Sequence, residues 1–419
     1  MIDCRGDEDK NMTRVEQHII KPKSEYYAML LEFCHLSKNL YNHANFIVRQ
    51  EFIKNNIWIR YNDLNNLCKS DLDYPDYKNM PTAQCAQQTL KLLDKSWSSF
   101  FKSIKDYKKN KSKYLGKPDL PKYLSKDGYL ILTLTNQNCK LVGSYIKFPK
   151  CFNNFKIKTK IDSYSKLQQV RITPKLNYLI VEVVYRIDKE VKPRLDNKRY
   201  LSIDLGISNF AAITNNFGLK PIIVNGNGLK SMNKYYNKQL AKYKSLAKTV
   251  NKLDITKRIQ RLHSKRHFKM HDAMHKMSSY IVKYANENDV SKIIIGYNKS
   301  WKNKSKFSKI VNQTFVQIPY LSFIEKLKYK AESLGIELIA VNEAYTSGTS
   351  FFDNELATAE FYNKDRRIYR GLFKTNTGVL VNADINASLQ ILKQVSSDAF
   401  RECQDVQGLV LNPVKINLI

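Results

Sequence analysis

The chain has 419 residues, of which 43% are hydrophobic, and it carries 70 Lys and Arg against 38 Asp and Glu, a formal net charge of +32. That length is enough for about two or three domains, and so large a positive excess favours a polyanionic partner, above all nucleic acid. No apolar run approaches the roughly 18 residues of a membrane span, and the first residues lack a signal-peptide core. The cysteines are odd in number and scattered, which disfavours a zinc site and suits a reducing compartment. We therefore expect a cytoplasmic protein.

The N-terminal half combines predicted helices with predicted strands. An apolar stripe at helical spacing runs through residues 24–55 and 82–108, and Thr82 is a candidate N-cap of the second helix. Alternation of apolar and polar residues predicts antiparallel strands after these helices and one strand before them. These strands are residues 15–22, 129–135, 144–148, 167–173 and 178–187. We expect the strands to form a small β-barrel into which a helical domain is inserted.

The C-terminal half begins after a basic linker, residues 188–199. Three consecutive strands are predicted, then a long basic helical stretch, a fourth strand, a helix, a fifth strand and a last helix. In chain order these are residues 200–206, 210–216, 220–226, 229–286, 292–296, 320–334, 336–341 and 384–394. This order is that of an RNase H-like α/β domain.

Three acidic residues lie at or beside the ends of these elements. Asp204 ends the first strand, Glu343 follows the fifth, and Asp384 opens the last helix. Converging carboxylates are hard oxygen ligands suited to Mg²⁺, and two such ions about 4 Å apart can activate water and stabilise the leaving oxygen in phosphodiester cleavage. Each residue also has an ordinary interpretation, such as a helix N-cap for Asp384 and a strand-end turn residue for Asp204. For any one of them alone, the ordinary interpretation is the better one.

Three segments closely resemble the conserved blocks of the TnpB (insertion-sequence OrfB) family. They are residues 202–214, 329–347 and 378–392, and the whole resemblance covers about residues 12–395. It implies an RNA-guided DNA nuclease with a RuvC-type, RNase H-like catalytic domain, related to the miniature type V CRISPR effectors. It also implies that Asp204 is the first catalytic carboxylate and Asp384 the last, with two Mg²⁺ ions, or Mn²⁺, as cofactor.

The sequence departs from the usual family pattern at two places. The strand that ends at Gly296 typically ends in the middle catalytic glutamate, and the segment after residue 346 typically carries two CxxC pairs that bind zinc. We expect no zinc here. In an RNase H sheet the fifth strand lies beside the fourth, about 4.8 Å away. Glu343 can therefore place its carboxylate where the missing one would have been, because Gly296 has no side chain in the way.

Further candidates concern nucleic-acid binding. Four histidines, His263, His267, His271 and His275, share one face of a predicted helix at i+4 spacing. That spacing can bind metal, but the flanking cations would repel one, so a phosphate-facing helix is the better interpretation. Glutamines can read adenine in the major groove, although a solvated face explains these equally well. The tentative nucleic-acid-binding residues are Gln84, Gln87, Gln88, Lys257, Arg258, Lys265, Arg266, Arg366, Arg367 and Arg370.

The fold class that we expect is α+β and multidomain. The expected parts are a wedge-like β-barrel (12–23 and 128–195), a helical recognition domain (24–127), a RuvC-like nuclease domain (196–346 and 379–395), a degenerate zinc-finger-like insert that binds target nucleic acid (347–378), and a disordered tail (396–419). The expected partners are a guide RNA, of the transposon or the CRISPR type, and double-stranded target DNA cut beside a short adjacent motif.

Several alternatives stay open at this stage. Because Gly296 replaces a glutamate, the protein can be a nuclease-inactive, guide-dependent DNA binder. It can also be a miniature type V effector that uses a CRISPR RNA, or a basic accessory protein of transposition without a guide. We expect a monomer or homodimer at the nucleoid, in the bacterial cytoplasm.

Overall fold

The computed structural model describes residues 12–162, 164–188, 191–298, 317–369, 371–396 and 412–419. The chain divides into two compact units, and the boundary between them along the sequence lies between residues 190 and 191. None of the helices in the described ranges is long and apolar enough to cross a membrane.

The first unit contains helices α1 to α3 and strands β1 to β7. The helices are α1 (Tyr27–Asn55), α2 (Tyr61–Ser70) and α3 (Ala83–Lys109). The strands are β1 (Met12–Ile20), β2 (Leu132–Thr135), β3 (Lys140–Val142), β4 (Tyr145–Lys147), β5 (Lys156–Lys158), β6 (Ser165–Pro174) and β7 (Leu179–Ile187). Thr82 is the N-cap of α3, as expected, because its side chain accepts a hydrogen bond from the Cys85 amide at 3.2 Å.

The strands of this unit lie in two antiparallel sheets rather than in one closed barrel. One sheet has the order β1-β7-β6-β2, and the other has the order β3-β4-β5. Helices α1 and α3 pack with the first sheet around a shared core that includes Leu30, Trp97, Val170 and Val181. The helical segment and the strands are therefore one structural unit, because neither covers its apolar face alone.

The second unit is built around a six-stranded mixed sheet. The strands of the whole unit are β8 (Tyr200–Leu205), β9 (Asn209–Asn215), β10 (Ile222–Asn225), β11 (Lys292–Gly296), β12 (Glu337–Val341), β13 (Arg367–Tyr369), β14 (Leu372–Lys374), β15 (Leu380–Asn382) and β16 (Val414–Ile416). Its helices are α4 (Asn227–Asn251), α5 (Lys257–Glu287), α6 (Tyr320–Glu332) and α7 (Ala383–Val395). The sheet order is β12-β11-β8-β9-β10-β16, while β13 to β15 form a separate small sheet. The fourth predicted strand pairs in parallel with the first, and the fifth pairs in parallel with the fourth, as the sequence analysis expected of the fifth.

Alternation along β8 assigns each face of the large sheet to different helices. Leu201, Ile203 and Leu205 enter the core that also contains Met277 of α5 and Phe323 of α6. The intervening positions of β8 lie on the opposite face, where helix α7 packs. Asp204 is one of these positions, so strand periodicity alone sends its side chain to the α7 face.

Two segments differ from the sequence-based expectation. The basic stretch 229–286 is two helices, because Lys252 adopts a left-handed conformation with φ 50° and Thr256 caps the start of α5. Residues 412–419 are not part of a disordered tail, since β16 pairs in parallel with β10 and Ile416 packs against the core. Residues 397–411 of the expected tail lie outside the described residues.

Candidate active site

Asp204 lies at the carboxyl end of β8, on the face that packs against α7. Its side chain is half-buried. Burial, followed by the negative charges of Asp384 and Glu343, holds the pKa of the Asp204 carboxyl well above its usual range, and the positive charge of Arg367 partly offsets this. The three acidic residues named from the sequence are thus close enough to act on one another electrostatically.

Gly296 and Glu343 meet on this same face. Gly296 ends β11 opposite Val341, the last residue of β12, and Glu343 follows two residues later. A Cβ atom built on Gly296 would lie 3.3 Å from the Glu343 Cβ and 2.5 Å from the Ile391 Cδ1 of α7. The Glu343 side chain therefore begins beside the place where a side chain at position 296 would begin. The expected relocation of the glutamate is sterically consistent with this contact, and the room at position 296 is already taken.

Asp384 lies in the first turn of α7 without capping it. The N-cap is Asn382, whose side chain accepts hydrogen bonds from the amides of Asp384 and Ile385 at 3.0 and 3.1 Å. The Asp384 carboxylate instead accepts a hydrogen bond from Asn209 Nδ2 at 2.7 Å and faces Arg367 Nη2 at 3.5 Å. The ordinary interpretation of Asp384 as an N-cap is wrong, because Asn382 does that work.

A buried hydroxyl cluster fixes α7 to the sheet beneath the carboxylates. Ser202 Oγ lies 2.6 Å from Thr214 Oγ1 and donates a hydrogen bond to the Ser388 carbonyl at 2.8 Å. Ser388 follows Asp384 by four residues, about one helical turn. This cluster therefore holds the helix that carries Asp384 at a defined height above the strand that carries Asp204.

The donors suit a hard cation, but they are not assembled around one. Carboxylate oxygens are the ligands that Mg²⁺ prefers. In the described part of the chain, no group of three or more His, Cys, Asp or Glu side chains is close enough to hold a metal ion. Asp384 and Glu343 raise the pKa of Asp204 through repulsion of its charged form, and Arg367 supplies the nearby positive charge. The residue types fit Mg²⁺, and closing the cluster requires that repulsion to be neutralised.

Arg366 and Arg367 were expected to contact nucleic acid, and both side chains turn inward instead. Arg366 Nη1 lies 2.8 Å from Glu355 Oε2 and 3.7 Å from Asp353 Oδ2, and Arg366 also donates to Asn376. Glu355 accepts a further hydrogen bond from the Ser350 amide at 2.7 Å. This network cross-links the segment that the sequence analysis described as an insert, residues 347–378.

Helix α7 also anchors the insert through its polar side chains. Asn386 Nδ2 donates to the Thr349 carbonyl at 2.8 Å, while Gln390 Nε2 and Lys393 Nζ donate to the Glu355 carbonyl at 3.2 and 3.1 Å. These three residues follow helical spacing. One helix therefore carries a candidate catalytic carboxylate and also holds the insert.

The glutamines of α3 are largely engaged within the first unit. Gln84 accepts a hydrogen bond from Thr135 Oγ1 at 2.8 Å and donates to Gln137, and Gln87 is half-buried. Gln88 is half-buried. The role of these glutamines in reading DNA stays a prediction. The two hydrogen bonds of Gln84 already fix the orientation of its side-chain amide.

The basic residues of α5 divide between surface and interior. Lys257, Arg258 and Lys265 are exposed. Arg266 is half-buried and donates to Asn233 Oδ1 at 2.9 Å and to the Gln317 carbonyl at 2.8 Å. Arg370 lies outside the described residues. Arg266 therefore serves the packing of the unit, whereas the first three stay available to a partner.

The histidine stripe of α5 mostly faces other helices rather than phosphate. His263 Nδ1 lies 2.7 Å from the hydroxyl of Tyr236 on α4. Burial, reinforced by Lys326 of α6, lowers the pKa of His275 to about 4 and also lowers that of His271. Burial and the nearby lysines therefore disfavour the charged forms of His271 and His275, so these rings are poor electrostatic partners for phosphate.

Sequence reasoning missed Asn209. It opens β9, directly after the turn that follows Asp204, and its amide group donates to Asp384. A polar residue at a strand start beside a candidate catalytic strand is a weak signal in sequence. Its importance depends on α7, which lies about 175 residues later along the chain.

Two family models match the second half of the chain. A model described as OrfB_IS605, probable transposase, matches residues 182–302, and one described as Cas12f1-like, TNB domain, matches residues 320–391. None of the curated proteins compared with the chain matches it.

Similar solved structures include two cryo-EM complexes. The Cas12f1–sgRNA–target DNA complex is 16% identical, with 91% of this chain and 98% of that chain covered and a TM-score of 0.37. A CRISPR-Cas12f ternary complex is 14% identical, with 87% and 81% covered and a TM-score of 0.37. Both TM-scores are too low for the overall folds to be equated.

Proposed function

We propose that this chain is an RNA-guided DNA endonuclease. The proposal rests on the resemblance to the TnpB family and the miniature type V effectors, which the two family models support. Its second unit would be an RNase H-like, RuvC-type nuclease domain that cuts target DNA. Its first unit would hold the guide RNA and a short motif beside the target. The net charge of +32 supports two polyanionic partners, since a protein this basic repels itself without them.

The contact between Glu343 and position 296 carries the proposal. A protein that has lost its middle carboxylate without replacement would have no reason to keep an acidic side chain beside the gap. Here the Glu343 Cβ lies 3.3 Å from where a Cβ of residue 296 would be, on the sheet face that also presents Asp204. Asp384 reaches the same face from the first turn of α7.

Each residue around the site has a role that follows from its contacts. Asp204, Glu343 and Asp384 would hold Mg²⁺ or Mn²⁺, which when bound supplies the Lewis acid for phosphodiester hydrolysis. Asn209 orients the Asp384 carboxylate through its 2.7 Å hydrogen bond. Arg367 lowers the electrostatic cost of gathering three carboxylates, because its positive charge opposes the raised pKa of Asp204.

Cleavage of a plasmid target by protein purified with its own RNA tests this function. We expect cutting that needs Mg²⁺ or Mn²⁺ and that disappears in Asp204→Ala and Asp384→Ala, while RNA remains bound to both variants. Sequencing the bound RNA identifies the guide and shows whether it comes from a transposon end or a CRISPR array. Protein that carries no enriched RNA would contradict the guided mechanism.

One observation favours a second function, a guided DNA binder that does not cut. Arg367 Nη2 already faces Asp384 Oδ1 at 3.5 Å. If this ion pair persists when nucleic acid is bound, the carboxylate stays neutralised by protein and its affinity for a metal falls. Guided DNA binding without cleavage in either metal, by the unmodified protein, would establish this function.

A further inference from the structure

Helix α5 presents a row of cations to solvent. Lys257, Arg261, Lys265 and Lys269 are all exposed and recur every four residues, so they lie along one face about 6 Å apart. We name this row the α5 ridge. The acidic residues of the helix, Asp272 and Glu287, pair with Lys276 and Lys283 further along it. The ridge is therefore a continuous line of positive charge.

A cavity opens beside the ridge, between α4 and α5. Its volume is about 240 Å³. It is lined by Ser231, Met232, Tyr235, Tyr236, Leu262, Lys265, Arg266 and Lys269. Two residues of the ridge thus border a pocket that also has aromatic and apolar walls.

The walls of this pocket are held in place from within the protein. Tyr236 is buried, and its hydroxyl lies 2.7 Å from His263 Nδ1. The Arg266 guanidinium lies 4.8 Å from the centre of the Tyr236 ring and is fixed by Asn233 and Gln317. Asn233 itself is 1% exposed, and its Nδ2 has no hydrogen-bond partner in the described residues. Two walls of the pocket, Tyr236 and Arg266, are therefore fixed by contacts within the unit.

Tyr235 differs from these walls because it stands at the pocket with 57% of its surface exposed. An exposed aromatic ring beside cations is the arrangement with which proteins bind unpaired bases, the ring stacking on the base and the cations contacting the phosphates. A metal ion is excluded as the occupant, because the charged lining residues are all cationic. An acidic peptide would satisfy the lysines but would leave the aromatic wall without a matched partner.

We propose that the pocket between α4 and α5 binds one unpaired nucleobase, with Tyr235 stacking on it and Lys265 and Lys269 contacting the adjoining phosphates. The rest of the strand follows the α5 ridge. This inference rests on the nucleic-acid binding of the proposed function and adds a base-binding subsite to it. The strand can be a single-stranded part of the guide RNA or an unpaired DNA strand, which share this chemistry.

Crosslinking and a binding cycle on the full chain test the proposal. Oligouridine and oligodeoxyuridine carrying 4-thiouracil are irradiated with the protein, and crosslinked peptides are mapped. We expect a crosslink in the peptide that contains Tyr235. A crosslink with RNA alone assigns the pocket to the guide, and one with DNA alone assigns it to the unpaired DNA strand. Crosslinks that avoid this peptide with both probes would overturn the proposal.

The binding cycle separates stacking from charge. Tyr235→Leu should weaken binding of the base-containing strand about tenfold, about 1.4 kcal/mol, and should leave binding of an abasic strand unchanged. Lys265→Gln and Lys269→Gln should weaken both strands alike and lower the salt slope by about 0.7 per lysine. Tyr164→Leu, an exposed tyrosine elsewhere, and Lys283→Gln, on α5 but off the ridge, are the matched controls.

An equal loss on base-containing and abasic strands in Tyr235→Leu would refute base stacking, as would no loss at all. Because Tyr235 is exposed, the Tyr235→Leu variant should fold normally, and thermal unfolding checks this. Neither experiment uses a guide, a target or cleavage. A protein that never cuts DNA can therefore still show the pocket, and an active nuclease can lack it.

Discussion

The proposed relocation of the catalytic glutamate to Glu343 makes the sharpest prediction, because its geometry specifies which substitution should abolish cleavage. Glu343→Gln keeps the size of the side chain and removes the charge that would hold a metal ion. We expect guided DNA binding to survive and cleavage to fall by about 10³-fold or more, which is ~4 kcal/mol of barrier at about 1.4 kcal/mol per factor of ten. The defect should be catalytic, since the Glu343 backbone stays anchored through its carbonyl to Thr346 at 2.9 Å.

The structure also sets the terms of a rescue. A new glutamate at position 296 would start 3.3 Å from the Glu343 Cβ and 2.5 Å from the Ile391 Cδ1. Gly296→Glu in the otherwise unchanged protein should therefore lower both stability and cleavage, through overpacking that commonly costs about 1–3 kcal/mol and through repulsion between neighbouring carboxylates. Combining Gly296→Glu with Glu343→Ala and Ile391→Val removes the second carboxylate and the Ile391 Cδ1 atom, and leaves the 3.3 Å approach to the Cβ atom of residue 343. That triple variant should recover part of the cleavage that Glu343→Ala loses.

The assay is single-turnover cleavage of a labelled target by the purified RNA–protein complex, with binding measured on the same target. Glu337→Gln is the matched control, because Glu337 opens β12 at the opposite end and 60% of its side chain is exposed. Cleavage by Glu343→Gln at the unmodified rate would refute the relocation. A folded triple variant that binds but cuts no better than Glu343→Ala would refute the claim that the two positions share one space.

Two further predictions concern stability. The pKa of Asp204 is raised in the fold, so the folded protein holds this proton more tightly than the unfolded chain, and the free energy of unfolding without divalent metal should fall as pH rises above the usual aspartate range. Asp204→Asn should remove that pH dependence and raise the unfolding temperature in EDTA by a few degrees, about 2–4 °C per kcal/mol. A lower unfolding temperature would contradict the electrostatic account. Arg366→Met should loosen the insert, because Glu355 is only 9% exposed and would lose its ion-pair partner, at a cost of ~3–5 kcal/mol. Hydrogen exchange of residues 347–378 measures this loosening, and Lys364→Met, at an exposed position, is the control. Unchanged protection of these residues would show that packing alone holds the insert.

The elements around the site were predictable from sequence, whereas several side-chain partners were not. Short apolar runs in the sequence predict strands β8, β11 and β12, and the intervening helices predict their parallel alignment. The break between α4 and α5 has only a weak local signal, a left-handed Lys252 followed by the Thr256 cap. Strand β16 could not be foreseen, because its pairing with β10 depends on chain roughly 190 residues away.

The arginines show the same limit more clearly. Arg366 and Arg367 are adjacent cations in a polar segment, and by composition both resemble phosphate contacts. Arg366 in fact meets Glu355, eleven residues earlier, and Arg367 meets Asp384, seventeen residues later. Local charge gives the sign of a side chain but not its partner, because the partner is selected by the fold. The same composition therefore describes a nucleic-acid interface and an internal cross-link equally well.

The position of Glu343 could be argued from sequence for a reason that the arginines lack. A metal-dependent nuclease constrains where carboxylate oxygens stand and leaves open which strand supplies them. Neighbouring strands in a parallel sheet keep a fixed spacing, so a side chain at the end of β12 has a calculable reach toward the end of β11. Gly296 completes the argument, because a larger residue there would collide with both Ile391 and Glu343. The glycine at the usual glutamate position and the acidic residue one strand away therefore have to be interpreted together. Together they predict a metal-binding site that a search for the usual motif alone would miss.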